Sequence, residues 1–401
     1  MQTGKNVWLN IKYALLQMMF WTAAASGYAF LTQMLQYKGF DEAQIGVINA
    51  VKLFSTIIFQ VIIGSFSDKH AKKFPLQYII AFLAGIACIL TVIFYGASLT
   101  YGFAIILFIG FGATFTCISP MIDALSLLYI NNGVHVNYVA GRAAGSAAWA
   151  VACVLFGICA DRFGMDKLIL LQFVFTAGIL LAAVVMNKIN INDGKSAGKQ
   201  EKVSSALFLI RRYRKYRWFL IGSAVMFMGY NVGTTFLINV FEGLGGNNTH
   251  YGIAEFVMAI SEVPSAFIFM KFRKKISLDK MMLCCAFFMT LKNVFAAFSG
   301  SVSVIIISQS CEMLGFGLFY AGSVFMVEEL LSPVDVVKGM SLINAATVGV
   351  GEGVGALVCG YINSRFGLAF LMRCSVLISV ISILCMMVMC RISKNMERDL
   401  A

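Results

Sequence analysis

Charge is scarce in this 401-residue sequence. Asp, Glu, Lys and Arg make up 12% of it, against roughly 25% in a soluble domain. It has only 4 prolines and 3 histidines, and its 11 cysteines include no Cys-x-x-Cys pair. A phosphate-cradling glycine loop, a metal-ligand cluster and a serine–histidine–acid set are all missing. Neither an ATP-driven pump nor a membrane enzyme is supported by what is left. No polar stretch is long enough for a water-soluble domain, so the net charge of +12 has no soluble surface on which to bind nucleic acid. The cysteines, Cys284, Cys285, Cys359 and Cys385 among them, lie mostly in apolar runs and read as small buried hydrophobes.

Apolar residues fill the space that charge vacates, at 60% of the chain. They fall into twelve runs, from 11–35 to 367–390, most of them long enough to cross a bilayer as a helix. The expected fold is therefore an all-α membrane protein of twelve transmembrane helices in two six-helix halves. No cleavable signal precedes the first run, which is expected to act as its own targeting signal. Only one connection is long, and it divides the chain into a half at 1–187, a central loop at 188–217 and a half at 218–401. The loop carries nine basic residues, and "LFLIRRYRKYR" within it has the pattern of a basic amphipathic helix.

Basic residues also cluster after the second run (Lys69, Lys72, Lys73) and after the eighth ("KFRKKISLDK"), always in even-numbered connections. The odd ones are short and nearly neutral or acidic, such as "KGFDEAQ" and "FEGLGGNNTH". The bias puts both termini in the cytoplasm. A repeat supports the division: "GICADRFG" at 157–164 and "GYINSRFG" at 360–367 share Gly, Arg, Phe and Gly at one spacing, offset by 203 residues. Two similar halves are the layout of a transporter that alternates between inward and outward states.

"GSFSDKHAKK", from Gly64 to Lys73, resembles the signature loop of the major facilitator superfamily, with Gly64 for close helix contact, Asp68 near a helix end and Lys72 on the cytoplasmic side. The first half is most similar to the lactose permease group, in which an acid follows a proline in the fourth span and Gly-Arg opens the fifth, with a tryptophan two turns on. Here those are "SPMIDA" with Asp123, "GR" with Arg142, and Trp149. The resemblance implies that Asp123 and Arg142 grip substrate hydroxyls while Trp149 stacks on a ring. Arg142 and Trp149, seven residues apart, share one helix face. A salt bridge between Asp123 and Arg142, with no substrate role, is the competing reading. In the first span Trp21 and Tyr28 are further lining candidates. Lys52 in the second is expected to snorkel outward.

The resemblance places a membrane carboxylate at Glu262, where Pro264 is expected to bend the eighth span. Glu312 stands near the position of the group's histidine, and Gly315 replaces its following glutamate, a marked departure. Glu352 lies among glycines in the eleventh span, and Lys292 in the ninth is free to pair with it or with Glu312. Buried carboxylates can exchange protons near neutral pH, so Glu262, Glu312 and Glu352 are the candidates for proton coupling. The expected protein is a non-enzymatic secondary transporter of the bacterial inner membrane, a monomer working with protons and no cofactor. Its expected cargo is a mono- or disaccharide, with a nucleoside as the first alternative and a drug exported against protons as the next.

Overall fold

In hydrocarbon every backbone N–H and C=O must be bonded within the protein, so an apolar run has to fold as a helix. The computed structural model describes residues 2–70, 73–188 and 205–400, with side chains for 7–67, 69–70, 73–188 and 205–392. Lys72 and most of the central loop lie outside the described residues, as does the side chain of Asp68. Among the described residues, eleven helices are long and apolar enough to cross a membrane, and a bent pair makes a twelfth. We label them α1 (Val7–Ala29 with Leu31–Tyr37, bent by 55°), α2 (Glu42–Ser67), α3 (Leu76–Gly96), α4 (Tyr101–Asn131), α5 (Tyr138–Phe163) and α6 (Asp166–Val185). The series continues with α7 (Arg214–Gly243), α8 (Asn248–Phe272), α9 (Leu278–Phe298), α10 (Val302–Leu330), α11 (Val336–Phe366) and α12 (Leu368–Ile392).

Local chemistry sets many of the ends. Asp41 and Gln44 form a reciprocal capping box at the start of α2, which satisfies two of its orphan N–H groups. Asn137 caps α5 by accepting from the Ala140 N–H. Several spans outrun their apolar stretch. α4 reaches Asn131, where the Asn132 side chain donates to the Leu128 carbonyl at 2.8 Å. The ladder of backbone bonds ends where a polar group can finish it, beyond the last apolar residue. The repeat has a backbone meaning as well. Gly164 and Gly367, the last glycines of the two "RFG" motifs, have φ of 93° and 81°, end α5 and α11, and let the next helix start within two residues.

The chain forms two packed units, one comprising Met1–Ser196 with Asn247–Phe256, the other Ala197–Gly246 with Val257–Ala401. In the first, α1 packs on α5 and α6, α2 on α4, and α3 on α6. In the second, α7 packs on α11 and α12, α8 on α10, and α9 on α12. Each pairing recurs six spans later. The start of α8 is held in the first unit by Asp161 of α5. Its carboxylate accepts from the N–H groups of Asn248 and Thr249 and from both their side chains, at 2.6–3.1 Å. Outward-facing Phe82, Ile106, Leu181 and Phe267 are more than 60% exposed, as lipid-facing residues must be in a chain of this composition.

One sequence reading fails here. A β-carbon on Gly64 would meet nothing within 4 Å, so this glycine sits at an open surface and makes no close helix contact in this state.

Gly367 also faces open space, so a substitution there tests backbone strain alone. Gly367→Ala should cost roughly 1–2 kcal/mol and lower the thermal midpoint of the purified protein. Gly102→Ala, equally open but inside a regular helix, should leave it unchanged or raise it.

Candidate transport site

In the first unit, Tyr13, Gln17 and Trp21 stand at four-residue intervals on one face of α1. Opposite them on α5 are Gly141 and Gly145. A side chain at Gly141 would collide with the Tyr13 ring, and one at Gly145 with the Trp21 indole. These two glycines therefore let the rings approach α5 closely. Buried Gln17 is the hub: its amide donates to the Tyr13 hydroxyl at 2.8 Å and to Asp123 Oδ1 at 3.1 Å. Its carbonyl accepts from the Trp21 indole at 3.1 Å.

The Arg142 guanidinium lies 4.1 Å from the centre of the Trp21 ring, a cation–π contact. Among the described residues no ion pair joins it to Asp123. The two charges are linked through Gln17 and Trp21, and both side chains stay partly exposed. Trp149 stands edge-on to Trp21 at 5.9 Å and 6.4 Å from Tyr28, and Tyr28 meets Phe115 at 5.7 Å. The result is an aromatic wall flanked by a carboxylate and a guanidinium fork. Lys52 does not snorkel outward. It is 7% exposed, with Nζ 5.3 Å from the Tyr28 ring centre, because α2 turns this position toward α1 and α4 instead of toward lipid.

In the second unit, Lys292 of α9 forms an ion pair with Glu312 Oε1 of α10, and both side chains are buried. The pairing left open by the sequence is thus with Glu312 and not Glu352. Lys292 Nζ also lies 5.0 Å from the Tyr230 ring centre. Glu262 and Glu352 are half-buried. Tyr320 lies against Phe316 at 4.6 Å between ring centres, and Phe316 against Tyr230 at 5.7 Å, both pairs tilted.

All three candidate coupling acids sit where a helix is irregular. Glu262 ends the first segment of α8, two residues before Pro264. Glu312 lies in a 3-10 segment, Gln309–Met313, within α10. Glu352 lies in a π-helical segment, Ala345–Gly353, within α11. In α1 a π segment, Ala25–Ala29, carries Tyr28. Breaks of this kind free backbone groups, which Ser and Thr side chains then satisfy. Ser265 donates to the Glu262 carbonyl, Ser308 to Ile305, Thr347 to Ile343 and Ser26 to Ala23. Irregular backbone at membrane depth is tolerated only where it is buried in protein or lines a cavity, and interrupted helices build the binding sites of secondary transporters.

Residues 10–374 match the model of the MFS_1 like family. The chain belongs to that family. It is a membrane transporter of the major facilitator superfamily. Its fold is shared with the nucleoside transporter NupG, at a TM-score of 0.80 and 15% identity over 95% of this chain and 98% of that one. A point mutant of NupG gives 0.82 at 14% identity, over 95% and 99% of the two chains. A bacterial homologue of the human lysosomal transporter Spinster, inward-facing and unoccupied, gives 0.73 at 14%, over 96% and 97%. No curated protein matches the sequence.

In this MFS_1-like transporter Asp123, Arg142, Trp149, Trp21 and Tyr28 come together on α1, α4 and α5. Glu312 stands with Lys292, whereas Glu262 and Glu352 stand half-buried on α8 and α11. Sequence reasoning missed Gln17, Tyr13 and Tyr230. Tyr13 and Gln17 had a signal, their four-residue spacing with Trp21; Tyr230 had none beyond its position in an apolar span.

Gln17→Leu should leave the Asp123 and Trp21 partners unmatched, at about 1–3 kcal/mol. Thermal unfolding should show that loss, and Gln17→Leu combined with Trp21→Phe should destabilise less than the two single changes added together.

Proposed function

We propose that this transporter is a proton-coupled nucleoside symporter of the bacterial inner membrane, acting as a monomer with both termini in the cytoplasm. The observation that carries the reading is the wall of Trp149, Tyr28 and Trp21 beside Asp123 and Arg142. Flat rings suit a nucleobase face. A carboxylate and a guanidinium fork that are not consumed by each other can bind the vicinal hydroxyls of a ribose. The shared fold of NupG, a nucleoside transporter, supports the same cargo. The basic even-numbered connections support the orientation.

A mono- or disaccharide would use Asp123 and Arg142 in the same way but has one weakly apolar face to offer three aromatic side chains. It is the competing outcome of the test below. For coupling, Glu262, Glu352 and Glu312 at the helix breaks supply carboxylates that can load and release protons in step with backbone rearrangement. Gly64 and Asp68, at the end of the second helix, and Lys72 after them in the sequence would move with the gate.

Binding to purified protein decides the cargo. Uridine or adenosine should bind, and lactose should compete poorly. Arg142→Lys keeps the charge and loses the planar fork; it should weaken nucleoside affinity by about 2 kcal/mol, some thirtyfold, with a normal thermal midpoint. Wild-type affinity in that variant removes Arg142 from the site, and preferential lactose binding replaces the nucleoside by a sugar.

Coupling has its own check. Glu262→Gln should equilibrate nucleoside across proteoliposomes without concentrating it, and undiminished accumulation would exclude Glu262.

A further inference from the structure

The helix breaks described above are closed from within. Ser26, Ser265, Ser308 and Thr347 each donate to a carbonyl of their own helix, and a hydroxyl so placed travels with its helix. The break in α1 has a second closure of a different kind. Ala29 is the last residue of the π segment, and its carbonyl accepts from the Tyr251 hydroxyl of α8 at 3.0 Å. The Tyr251 ring stands edge-on to Phe30 at 5.5 Å. Phe30 is the residue between the two arms of α1, which are bent by 55°. Both rings are buried. A phenylalanine at 251 would fill the same space with no polar atom to satisfy. A buried tyrosine hydroxyl needs a partner, and this one takes the backbone of a bend.

The far side of the contact is held firmly. The first turns of α8 belong to the same packed unit as α1 and α5. There Asp161 accepts from Asn248 and Thr249, through backbone and side chain of each. A β-carbon on Gly157 of α5 would run into the Asn248 backbone, and one on Gly252 of α8 into the Cys153 carbonyl. The two helices therefore meet backbone to backbone, and Tyr251, next to Gly252, is carried on a seat with little freedom. On the α1 side, Tyr28 immediately precedes Ala29. Its ring stands 6.4 Å from Trp149 and 5.7 Å from Phe115.

We propose that Tyr251 is a positioning residue of the transport site: its hydroxyl and ring fix the bend of α1 against α8, and so set Tyr28 in the aromatic wall. It touches no substrate and acts through Tyr28. Asp161 serves the same end one step back, by holding the helix that carries Tyr251. Lifting the start of α8 from α5 would withdraw the partner of Ala29 and free Tyr28 to turn. The helical segment that begins at this seat, Asn248–Glu262, ends on Glu262, so the wall and that carboxylate share one rigid element. The effect on affinity rests on the nucleoside reading above; the effect on α1 does not.

The test has an arm for each. Hydrogen exchange of the purified transporter in lipid, read by mass spectrometry, follows the amides of residues 25–33. Tyr251→Phe keeps the ring and should leave the thermal midpoint close to wild type. It should speed exchange there roughly tenfold, as expected when one hydrogen bond guarding a local opening is lost. The breaks at 309–313 and 345–353 should exchange as in the wild type. Asp161→Ala, which leaves Tyr251 in place, should speed the same α1 amides. In the second arm, Tyr251→Phe should weaken uridine binding in the wild-type background and weaken it no further in Tyr28→Ala, because two residues that act through one contact are not additive. Unchanged exchange of α1 in Tyr251→Phe would overturn the proposal, and so would additive losses of affinity. If Tyr251→Phe does not fold, Asp161→Ala decides: faster α1 exchange upholds the link from α8 to α1, and wild-type exchange ends it. If uridine does not bind the wild type, the cargo is wrong, and the exchange arm alone judges Tyr251.

Discussion

Every part of this protein is arranged around one constraint: inside an apolar layer a backbone polar group has to find its partner within the protein. Twelve spans satisfy it as helices. The exceptions are the informative places. Where α1, α8, α10 and α11 depart from regular geometry, Ser26, Ser265, Ser308 and Thr347 donate to carbonyls at the break. Each of those breaks carries a candidate site residue: Tyr28, Glu262, Glu312 or Glu352. The hydroxyls make the irregular backbone tolerable, and the irregular backbone lets a polar side chain sit at a point that can move.

Charge is handled by a second recurring device. Arg142, Lys52 and Lys292 each lie over an aromatic face, of Trp21, Tyr28 and Tyr230 respectively. Lys292 adds a carboxylate partner. An aromatic face holds a cation without neutralising it, so the Arg142 donors are not taken up by Asp123. A direct bond to Asp123 would have used them. Gln17 achieves the spacing by standing between the two charges, anchored on Tyr13 and Trp21.

Much of this architecture was legible in the sequence, because the apolar layer imposes long runs and the repeat "RFG" marks two equivalent helix ends. Gly164 and Gly367 confirm the second point through their left-handed backbone. The shared face of Arg142 and Trp149 followed from helical spacing, whereas Asp123 was drawn in by the family resemblance and Trp21 was only a candidate for the lining. Other features left no trace. A π or 3-10 segment has no sequence signature of its own, since the same Ser, Thr and Gly residues occur in regular helices too. Lys52 was expected to snorkel and is buried instead, because snorkelling or burial depends on which way α2 is rotated, and its apolar residues are spread around the helix. The partner of Lys292 needed the register between α9 and α10, which spacing along one chain does not contain. Gly64 misled for the same reason: a small residue permits a close contact but does not create one.

The central claim is that movement of a nucleoside through this protein carries protons with it. The most direct measurement is internal pH in proteoliposomes of purified transporter, loaded with a fluorescent pH indicator and given uridine on the outside with no gradient imposed. Proton symport predicts internal acidification that starts with uridine entry, scales with its rate and disappears in Glu262→Gln. Uridine entry with no change in internal pH would contradict it.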